Sequence, residues 1–550
     1  MVISKNNKKY DIIIIGGGIA GLYFLYTLLN DNNNSNKNIL LLESSNRFGG
    51  RVRTIKGRNK GYEAGAGRFS DKHKLLIELL QKFNIDNRIP IPSTQKYINT
   101  NDKTNNINSV EDTYNLEYIK DVDNILNKII KLYDNNKLKE QKKGLKISDF
   151  NLLEIVENNL NKKSSLTLYE KFPYYSELCV MNALDAINSF KNDFNSSIQY
   201  YILKGGLEQV IQKLLDFIKV NSKSNNKGNN ITLKLNSNVN SVICNNNDNS
   251  YTVCTQDFDY NATKVVFAID QKRLVNMKLF NKSELKVLKN SINYQPLIRV
   301  YAKYKKQKIN GVKKVWFSGL NKIVTNEPIK YIIPINEDAG TIMISYTDGK
   351  HCEKIYESYI NNTLNELIST SLHNLFPETK IPEPTYLEVY YFDVGCHYWT
   401  KKHYSKDYYN TIQNIRENVY IIGEAYSTHQ AWIEGALQSS VDVYNNYFKS
   451  NEIITGGHNN YKKFISSNNK LKEYSLEYVK KHNSVDNGLL VVDNFVYKIP
   501  KQWTNIDHPG GPIIKKYLGT DASEVFHSMH KTLGKHPYDM LEKFKIGKLK

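Results

Sequence analysis

Residues 12–29 read IIIIGGGIAGLYFLYTLL, and this stretch decides the fold. It opens on a short β-branched run, residues 11–15, of the kind that forms a buried parallel strand. Gly16, Gly18 and Gly21 follow at once in the order GxGxxG, and helical spacing continues after them. A glycine-rich turn between a strand and a helix lets the backbone approach a pyrophosphate at the helix N-terminus. The stretch therefore predicts a nucleotide-binding βα unit.

A second strand is predicted at residues 39–42, and it ends in Glu43. Glu43 follows Gly21 by 22 residues, which is where an acidic residue holds ribose hydroxyls in such units. Ser44 stands next to it. We expect Glu43 and Ser44 to contact the ribose side of a dinucleotide.

Another glycine-rich segment follows, in which residues 47–51 read RFGGR and residues 65–68 read GAGR. The paired glycines allow close backbone approach, and Arg51 can neutralise pyrophosphate charge. The ExxxRxGGR arrangement beginning at Glu43 resembles the FAD-containing amine oxidase superfamily, which includes monoamine, polyamine and L-amino-acid oxidases. The resemblance implies FAD as the cofactor. It places further contacts at Gly65, Ala66, Gly67 and Arg68.

The resemblance returns later in the chain. Val239 matches the valine that contacts adenine in the family. Residues 419–440 read VYIIGEAYSTHQAWIEGALQSS and resemble the family's last FAD motif. By this likeness Glu424 faces the ribityl or pyrophosphate part of FAD, and a helix beginning within residues 431–436 points at the pyrimidine end. The motif adds the cofactor contacts Gly423, Glu424, Trp432 and Ile433.

The likeness covers about residues 8–448. It implies an α/β Rossmann-like FAD-binding domain that is interleaved with an α+β substrate domain. We expect FAD-binding parts at about 8–85, 200–285 and 410–448, and substrate-binding parts at about 86–200 and 286–409.

Within the superfamily the chain is most similar to L-amino-acid oxidases. There the arginine at the position of Arg68 grips the substrate carboxylate, a role that suits a guanidinium with two parallel donors. Tyr346 resembles a tyrosine that adds a third bond, and Trp432 an aromatic wall of the substrate cage. Two alternatives stay open: Arg68 only balances cofactor charge, or Tyr346 is a core residue. Trp399 is expected to pack rather than to contact substrate.

One position departs from the family pattern. Many members carry a lysine that holds a water at flavin N5, and the best match in PLIRVYAKYKK (296–306) is Arg299. Arginine does not shed a proton readily. This departure predicts slow reaction with dioxygen. Cys396 precedes Trp399 and does not match the covalent flavin attachment site of monoamine oxidases, so we expect non-covalent FAD.

Residues 449–473 read as an Asn/Lys/Ser/Gly-rich linker, and residues 474–550 resemble cytochrome b5 domains. This predicts a small C-terminal α+β domain. In the family pattern His508 of the HPGG motif and His530 are the axial ligands of haem b, and His527 is the rival second ligand. Two imidazole ligands leave no open site on the iron, which suits electron transfer.

These features predict FAD-dependent oxidation of a primary amine, specifically an L-amino acid. Hydride passes from Cα to flavin N5, and the resulting imine is hydrolysed. Electrons then pass to the fused haem, with a redox partner protein or dioxygen as the other acceptors considered. One alternative is a monoamine or polyamine oxidase that uses dioxygen and carries the haem module as a separate electron-transfer or docking unit. Another is a non-catalytic structural or virion-packaged protein.

Composition sets the remaining limits. The formal net charge is +20, but Asn and Lys crowd the loops, as in NDNNNSNKN at 30–38, so we expect coding bias and no specific nucleic acid. The 5 cysteines form no CxxC pair, which favours a reducing compartment. We find neither a signal peptide nor an uninterrupted apolar run of about 20 residues. The expectation is a soluble cytoplasmic protein without a membrane anchor, in a virion if the source is viral.

Overall fold

The glycine-rich turn quoted first joins the central strand of a sheet to a buried helix. In the computed structural model, strand β1 spans Lys9–Ile15 and helix α1 spans Ile19–Asn30. The structure describes residues 9–31, 36–57, 61–92, 94–102, 107–139, 144–194, 198–223, 229–245, 248–449, 472–501, 503–504, 508, 511–530, 537, 540–541 and 544–550. The predicted linker at 449–473 lies almost wholly outside them.

The chain forms two compact units. The larger takes in residues up to 458 apart from 132–137, and the smaller takes in the rest. The further strands of the larger unit, β2 to β20, are Asn38–Leu42, Thr54–Ile55, Tyr62–Glu63, Phe69–Ser70, Arg88–Ile91, Gln95–Ile98, Tyr200–Leu203, Asn230–Lys234, Val239–Asn245, Ser250–Thr255, Asp259–Phe267, Ile292–Lys303, Gln307–Ile309, Val312–Lys314, Lys322–Thr325, Tyr331–Asn336, Thr341–Asp348, Tyr386–Trp399 and Val419–Ile421. Its further helices, α2 to α14, are Lys74–Lys82, Asp121–Asp134, Leu152–Asn159, Lys162–Lys171, Ser176–Cys179, Ala183–Asn192, Glu208–Lys223, Gln271–Leu274, Lys282–Ser291, Cys352–Ile360, Leu364–Leu375, Ser405–Gln413 and Ile433–Tyr447.

The first sheet has the strand order β10-β11-β12-β1-β2-β9, with β20 also pairing with β12. Strands β12, β1, β2 and β9 run parallel, as β-branched strands covered on both faces do. Helices α1, α8 and α14 supply much of the core on one face of this sheet. The observed arrangement confirms the predicted Rossmann-like fold.

A second sheet has the order β19-β13-β18-β17-β16-β7 and is antiparallel except for the pair of β16 with β7. Its core packs against α11 and α12. Because its strands come from chain segments between those of the first sheet, the two layers are interleaved in sequence as predicted. A smaller sheet, β5-β8-β6, completes the part of the unit that carries the site.

Asparagine has structural positions in this fold. Asn151 and Asn281 cap α4 and α10 with complete capping boxes, and Asn161 and Asn182 cap α5 and α7. The short side chain of asparagine readily accepts hydrogen bonds from the first backbone N–H groups of a helix. Other asparagines hold positive φ, which this residue tolerates better than most: Asn36, Asn84, Asn136, Asn236, Asn249, Asn310, Asn362, Asn418 and Asn494.

The smaller unit contains the sheet β21-β24-β23-β22. Its elements are β21 (Lys472–Tyr474), α15 (Leu476–Lys480), β22 (Leu489–Val492), β23 (Phe495–Lys498), a 3-10 helix (Gly511–Tyr517), α16 (Ser523–His530) and β24 (Lys545–Leu549). An apolar cluster from β22, β23, the 3-10 helix and α16 forms its core. This is the small α+β domain predicted for the C-terminus.

Candidate functional site

The turn between β1 and α1 needs its glycines. Gly16 has φ +110°, and a Cβ there would collide with the carbonyl oxygen of Ala268. A Cβ on Gly21 would collide with the carbonyl oxygen of Gly16. Gly18 is the N-cap of α1 and has no side chain to occupy the first helical N–H groups. This cradle fits the pyrophosphate of a dinucleotide.

The RFGGR loop lies directly on that turn. The amide N–H of Gly49 donates to the carbonyl oxygen of Gly17 at 2.9 Å, and Gly49 also forms a β-bridge with Gly18. Arg47 donates to three carbonyl oxygens of its own loop, those of Phe48, Gly50 and Val52. Arg47 therefore holds the loop in shape.

Glu43 lies under the glycine turn, at the end of β2, and is buried. Its Oε2 accepts the N–H of Gly17 at 2.8 Å, and its Oε1 accepts the N–H of Ser45 at 2.9 Å and the hydroxyl of Ser44 at 3.4 Å. A carboxylate offers about four lone-pair positions. One position is left, which fits a ribose hydroxyl.

Arg51 is paired with Glu424. Nη2 of Arg51 lies 2.7 Å from Oε2 of Glu424, and Nδ1 of His397 lies 2.7 Å from the same oxygen. The other oxygen accepts the backbone N–H groups of His397 and Ala431. Burial alone would raise the pKa of Glu424, but Arg51 and His397 hold it well below its ordinary value. Glu424 thus ties the loop to the residue that precedes Trp432 and α14.

Other predicted cofactor contacts lie at element ends. Val239 is the buried first residue of β10, and Ile433 is the buried first residue of α14. Gly423 has φ +112°, and its N–H donates to the hydroxyl of Ser439 at 2.8 Å. The contacts of these residues with FAD stay predictions.

Arg299 forms hydrogen bonds to the backbone at and just before the GAGR segment. Its Nη1 donates to the carbonyl oxygen of Glu63 at 3.0 Å and to that of Gly65. The N–H of Ala66 donates to the carbonyl oxygen of Arg51 at 2.9 Å. A Cβ on Gly67 would lie 3.3 Å from Nη1 of Arg299. These contacts order the segment that ends in Arg68.

Arg68 lies among aromatic rings. Its Nη2 donates to the hydroxyl of Tyr174 at 2.7 Å. Its guanidinium carbon lies 4.9 Å from the ring centroid of Tyr200, 5.5 Å from that of Tyr174 and 5.6 Å from that of Trp432. We call these residues, with Tyr331 and Tyr346, the Arg68 cage. No described carboxylate forms an ion pair with Arg68, so the cage presents a cation.

The other predicted substrate residues take definite places around the cage. Tyr346 stacks on Tyr331 at 6.3 Å, and the guanidinium carbon of Arg299 lies 4.6 Å from the Tyr346 ring centroid. Trp432 stacks on Tyr200 at 6.1 Å. The structure therefore brings together Arg68, Tyr346, Trp432 and Arg299. Trp399 is apart from them: it is buried, and its Nε1 donates to the carbonyl oxygen of Ser427 at 2.8 Å.

Sequence reasoning missed several neighbours of Arg68. Tyr174 and Tyr200 come from residues 86–200, where the resemblance is thin, and Tyr331 begins strand β17 in the predicted substrate-binding part. The buried carboxyl of Glu177 lies three residues beyond Tyr174. The sequence signal for this region was the cluster FPYYSE at 172–177, where three aromatic residues and an acid stand together.

In the smaller unit, the predicted haem ligands face each other. The ring centroids of His508 and His530 are 6.3 Å apart. A metal–imidazole nitrogen bond is about 2.0–2.1 Å long, so two such bonds in line, with the half-width of each ring, give about 6 Å. Phe526 and Trp503 lie against these rings. The residues therefore fit a haem with two axial imidazoles.

The side chain of His527 contacts Asp493 instead of facing His508. Its Nε2 lies 2.7 Å from Oδ1 of Asp493, and both side chains are exposed. Nδ1 of His530 instead lies 2.8 Å from the carbonyl oxygen of Phe526, an outer contact that orients a ligating imidazole and leaves Nε2 for the metal. This geometry favours His530 over His527. Pro509 and Gly510 of the HPGG motif lie outside the described residues.

Comparisons with protein-family models divide the chain in the same way. The model described as flavin containing amine oxidoreductase matches residues 19–443. The model of the cytochrome b5-like heme/steroid binding domain matches residues 475–550.

The larger unit has solved structural relatives. A double mutant of putrescine oxidase superposes with a TM-score of 0.60 and 14% identity, over 80% of this chain and 99% of that one. Wild-type putrescine oxidase bound to putrescine gives 0.59 and 14%, over 80% and 99%. These likenesses show the fold.

Curated relatives match in a short segment. An acyl-lipid (8-3)-desaturase B of Dictyostelium discoideum is 39% identical over 79 residues, 14% of this chain and 16% of that protein. Nitrate reductase [NADH] 1 of Arabidopsis thaliana is 35% identical over 102 residues, 18% and 11% respectively. The chain thus spans only a small part of these relatives' length.

The two domains imply two cofactors, FAD for the larger unit and haem for the smaller one. Both fit the residues described above. Over the described part of the chain, no helix has the length and apolar character needed to cross a membrane.

Proposed function

The chain belongs to the family of flavin-containing amine oxidoreductases, and we propose that it oxidises an L-amino acid at the Cα–N bond. The observation that carries this proposal is the Arg68 cage. A partly buried guanidinium among aromatic rings, without an ion-pair partner among the described residues, has lost part of its hydration and is favoured by an anion that joins it. A substrate carboxylate supplies that anion, and Arg68 can bind it through two parallel hydrogen bonds.

Within the cage, each residue has a role in binding and orientation. The hydroxyl of Tyr174, which accepts a hydrogen bond from Arg68 at 2.7 Å, fixes the direction of the guanidinium. Tyr346 supplies a further hydroxyl for the carboxylate, and Trp432 with Tyr200 forms an aromatic wall. The wall excludes water and holds the substrate in one orientation, which lowers the entropic part of the barrier.

Gly16, Gly18, Glu43 and the Arg51–Glu424 pair would hold FAD, which when bound accepts a hydride equivalent from the substrate Cα–H bond. The resulting imine is hydrolysed to a keto acid and ammonia. Arg299 does not replace the family lysine as a proton carrier, because its Nη1 is committed to the carbonyl oxygens of Glu63 and Gly65. Slow reaction with dioxygen follows from this commitment.

We further propose that FAD is held without a covalent bond. Cys396 is the thiol nearest in sequence to the family attachment position, and it is buried. Burial, together with the neighbouring carboxylates of Asp348, Glu177 and Glu424, raises the pKa of this thiol well above its ordinary value. The nucleophile is the thiolate, so a thiol held neutral does not attack flavin.

The smaller unit is proposed to receive the electrons. His508 and His530 would hold the haem, which would supply one-electron transfer when bound. The relatives that share this segment are a desaturase and nitrate reductases by name, and each of these names denotes a redox enzyme. We infer a dehydrogenase whose haem takes up electrons from the amine.

The test is an anaerobic visible spectrum of the holoenzyme before and after addition of mixed L-amino acids. Bleaching of the flavin band with appearance of ferrous haem bands is expected. Bleaching with the haem still ferric would contradict electron transfer and leave amino-acid oxidation intact. Bleaching by putrescine or monoamines alone would contradict the role given to Arg68, and it is the outcome that the structural neighbour bound to putrescine makes worth testing.

A further inference from the structure

Near the Arg68 cage the structure buries a carboxyl group that the proposed binding of a carboxylate does not use. Glu177 lies in α6, the short helix Ser176–Cys179, and it is 6% exposed. Its Oε2 has no hydrogen-bond partner among the residues described. An unpaired buried carboxyl is unfavourable, because it has lost its water without gaining a partner. Such a group needs an explanation in terms of what it binds.

The second buried acid beside it, Asp348, is already satisfied. Oδ1 of Asp348 accepts the N–H of Tyr175 at 2.7 Å. Its Oδ2 accepts the N–H of Ser176 at 2.9 Å and the hydroxyl of Ser176 at 2.6 Å. Asp348 therefore anchors the start of α6. Of these two acids, Glu177 is the one with an oxygen left unused.

Glu177 and Arg68 belong to one buried neighbourhood. Tyr174, which binds Arg68, lies directly before the segment that carries Glu177. Burial raises the pKa of Glu177 to about 8, the charges of Asp348 and Asp193 add to the rise, and the charge of Arg68 opposes it. No described ion pair joins Glu177 to a cation or Arg68 to an anion. Arg68 and Glu177, which are linked through Tyr174 and the start of α6, are thus each left without a charged partner among the described residues.

We propose that Glu177 receives the ammonium group of the substrate and takes its proton, while Arg68 receives the carboxylate. This inference rests on the proposed function and deepens it: the ligand is a zwitterion whose ammonium and carboxylate groups are both bonded to Cα. As the ammonium group binds, the carboxyl of Glu177 first gives its own proton to solvent, and one proton then moves from the substrate nitrogen to Oε2 of Glu177. The bound state holds a neutral amine and a neutral carboxylic acid, and one proton per bound substrate is left in solution. The neutral amine is the form from which the Cα–H bond can be broken. Glu177 would be both a specificity-determining residue and the general base.

The test uses ligands that cannot be oxidised. α-Methyl-L-phenylalanine keeps the ammonium and carboxylate groups but has no Cα–H bond. 2-Methyl-3-phenylpropanoate is the same molecule with a hydrogen in place of the amino group. Calorimetric titration of the holoenzyme with each compound, for wild type, Glu177→Gln and Arg68→Gln, separates the two charges. Glu353→Gln, an exposed position on α11, is the matched control.

We expect Glu177→Gln to weaken binding of the amino acid by roughly tenfold or more and to change that of the carboxylate by less than about twofold. Arg68→Gln should weaken both. Equal binding of the amino acid by wild type and Glu177→Gln would overturn the inference while the proposed function stands. Binding of putrescine but of neither carboxylate by the wild type would instead overturn the proposed function.

A second readout separates a base from a structural acid. Titrations at pH 7 in buffers of different ionisation enthalpy count protons, and wild type should release about one proton per bound amino acid, because Glu177 is protonated in the free site. Glu177→Gln should release none, and Glu177→Asp should restore part of the release. Identical proton release in wild type and Glu177→Gln would contradict proton acceptance by Glu177.

Discussion

The guanidinium of Arg51 and the carboxylate of Glu424 form a 2.7 Å ion pair that joins the RFGGR loop to the segment after β20. Glu424 is buried, whereas the Arg51 side chain is 37% exposed. The pair therefore costs less to break than a fully buried one, for which about 3–5 kcal/mol is typical. It still joins two segments of the predicted FAD site with one contact.

We expect Glu424→Gln to lower the free energy of unfolding by about 2–3 kcal/mol and to reduce FAD retention, because Arg51 and His397 both lose their anion. Thermal unfolding and the flavin-to-protein absorbance ratio measure the two effects. Glu366→Gln, on the exposed face of α12, serves as the control. Full flavin content with unchanged unfolding temperature would argue that Glu424 has no such role.

The pH dependence of this contact has a definite sign. The folded-state pKa of Glu424 lies well below its ordinary value, so its contribution is complete above about pH 4.5 and is lost as the pH falls through the folded-state pKa. FAD should therefore dissociate on acidification, and Glu424→Gln should flatten that acid limb. A flavin-release profile between pH 3 and 6 gives the comparison.

Arg68→Lys should reduce anaerobic flavin reduction by L-amino acids by about 10²-fold, because lysine cannot make the bidentate contact. Benzylamine, which has no carboxylate, should show no such loss. Stopped-flow absorbance measures both rates in the same preparation. Equal losses for the two substrates would mean that Arg68 supports the cofactor instead of the carboxylate.

Buried acids with raised pKa values should make the protein less stable at alkaline pH. The pKa of Glu177 is about 8 and that of Glu63 about 7, both above the ordinary 4.5. Their contribution is complete below about pH 4.5 and disappears as the pH rises through 7 and 8. We expect Glu177→Gln to lose less stability than wild type between pH 5 and 8.5, by at least about 1 kcal/mol. Unfolding temperatures at the two pH values give the result, and parallel curves would refute it.

Haem binding distinguishes the histidines of α16. His508→Ala and His530→Ala should each abolish the spectrum of a six-coordinate haem, because each removes a predicted haem ligand. His527→Ala should retain it, since its Nε2 lies against Asp493. The pyridine haemochrome assay and the Soret band provide the measurement. Retention of haem by His530→Ala but not by His527→Ala would reverse the assignment.

Precipitation with denaturant should leave the flavin in solution, since Cys396 is a buried neutral thiol. Absorbance of the supernatant at the flavin maximum measures the released fraction. Yellow colour that stays with the washed pellet would show a covalent link.

Local patterns predicted the fold and the two cofactors correctly. The β1 turn, the strand before Glu43 and the fused C-terminal domain each depend on neighbours in sequence, which a single chain displays. The interleaved sheets followed from the family resemblance. Their confirmation does not extend to the individual site residues, whose roles stay predictions.

The missing residues have a common physical reason. Tyr174, Tyr200 and Tyr331 meet Arg68 only after three distant segments fold together, so no spacing rule reveals them. The same holds for His397, which lies on β19 and pairs with Glu424 beyond β20. The sequence shows that Arg299 departs from the lysine pattern, but its hydrogen bonds to the carbonyl oxygens of Glu63 and Gly65 depend on a backbone arrangement that the sequence does not display.

The asparagines of this chain divide into two functional kinds. At Asn151, Asn281 and the positive-φ sites, the amide side chain or the left-handed backbone is required by the fold. The high asparagine content of this chain is therefore compatible with its fold, since part of it falls where asparagine is among the best choices. Substituting all the asparagines of the chain by other residues would remove these helix caps and turns. The asparagines that can be substituted without this loss are the exposed ones that neither cap a helix nor have a positive φ.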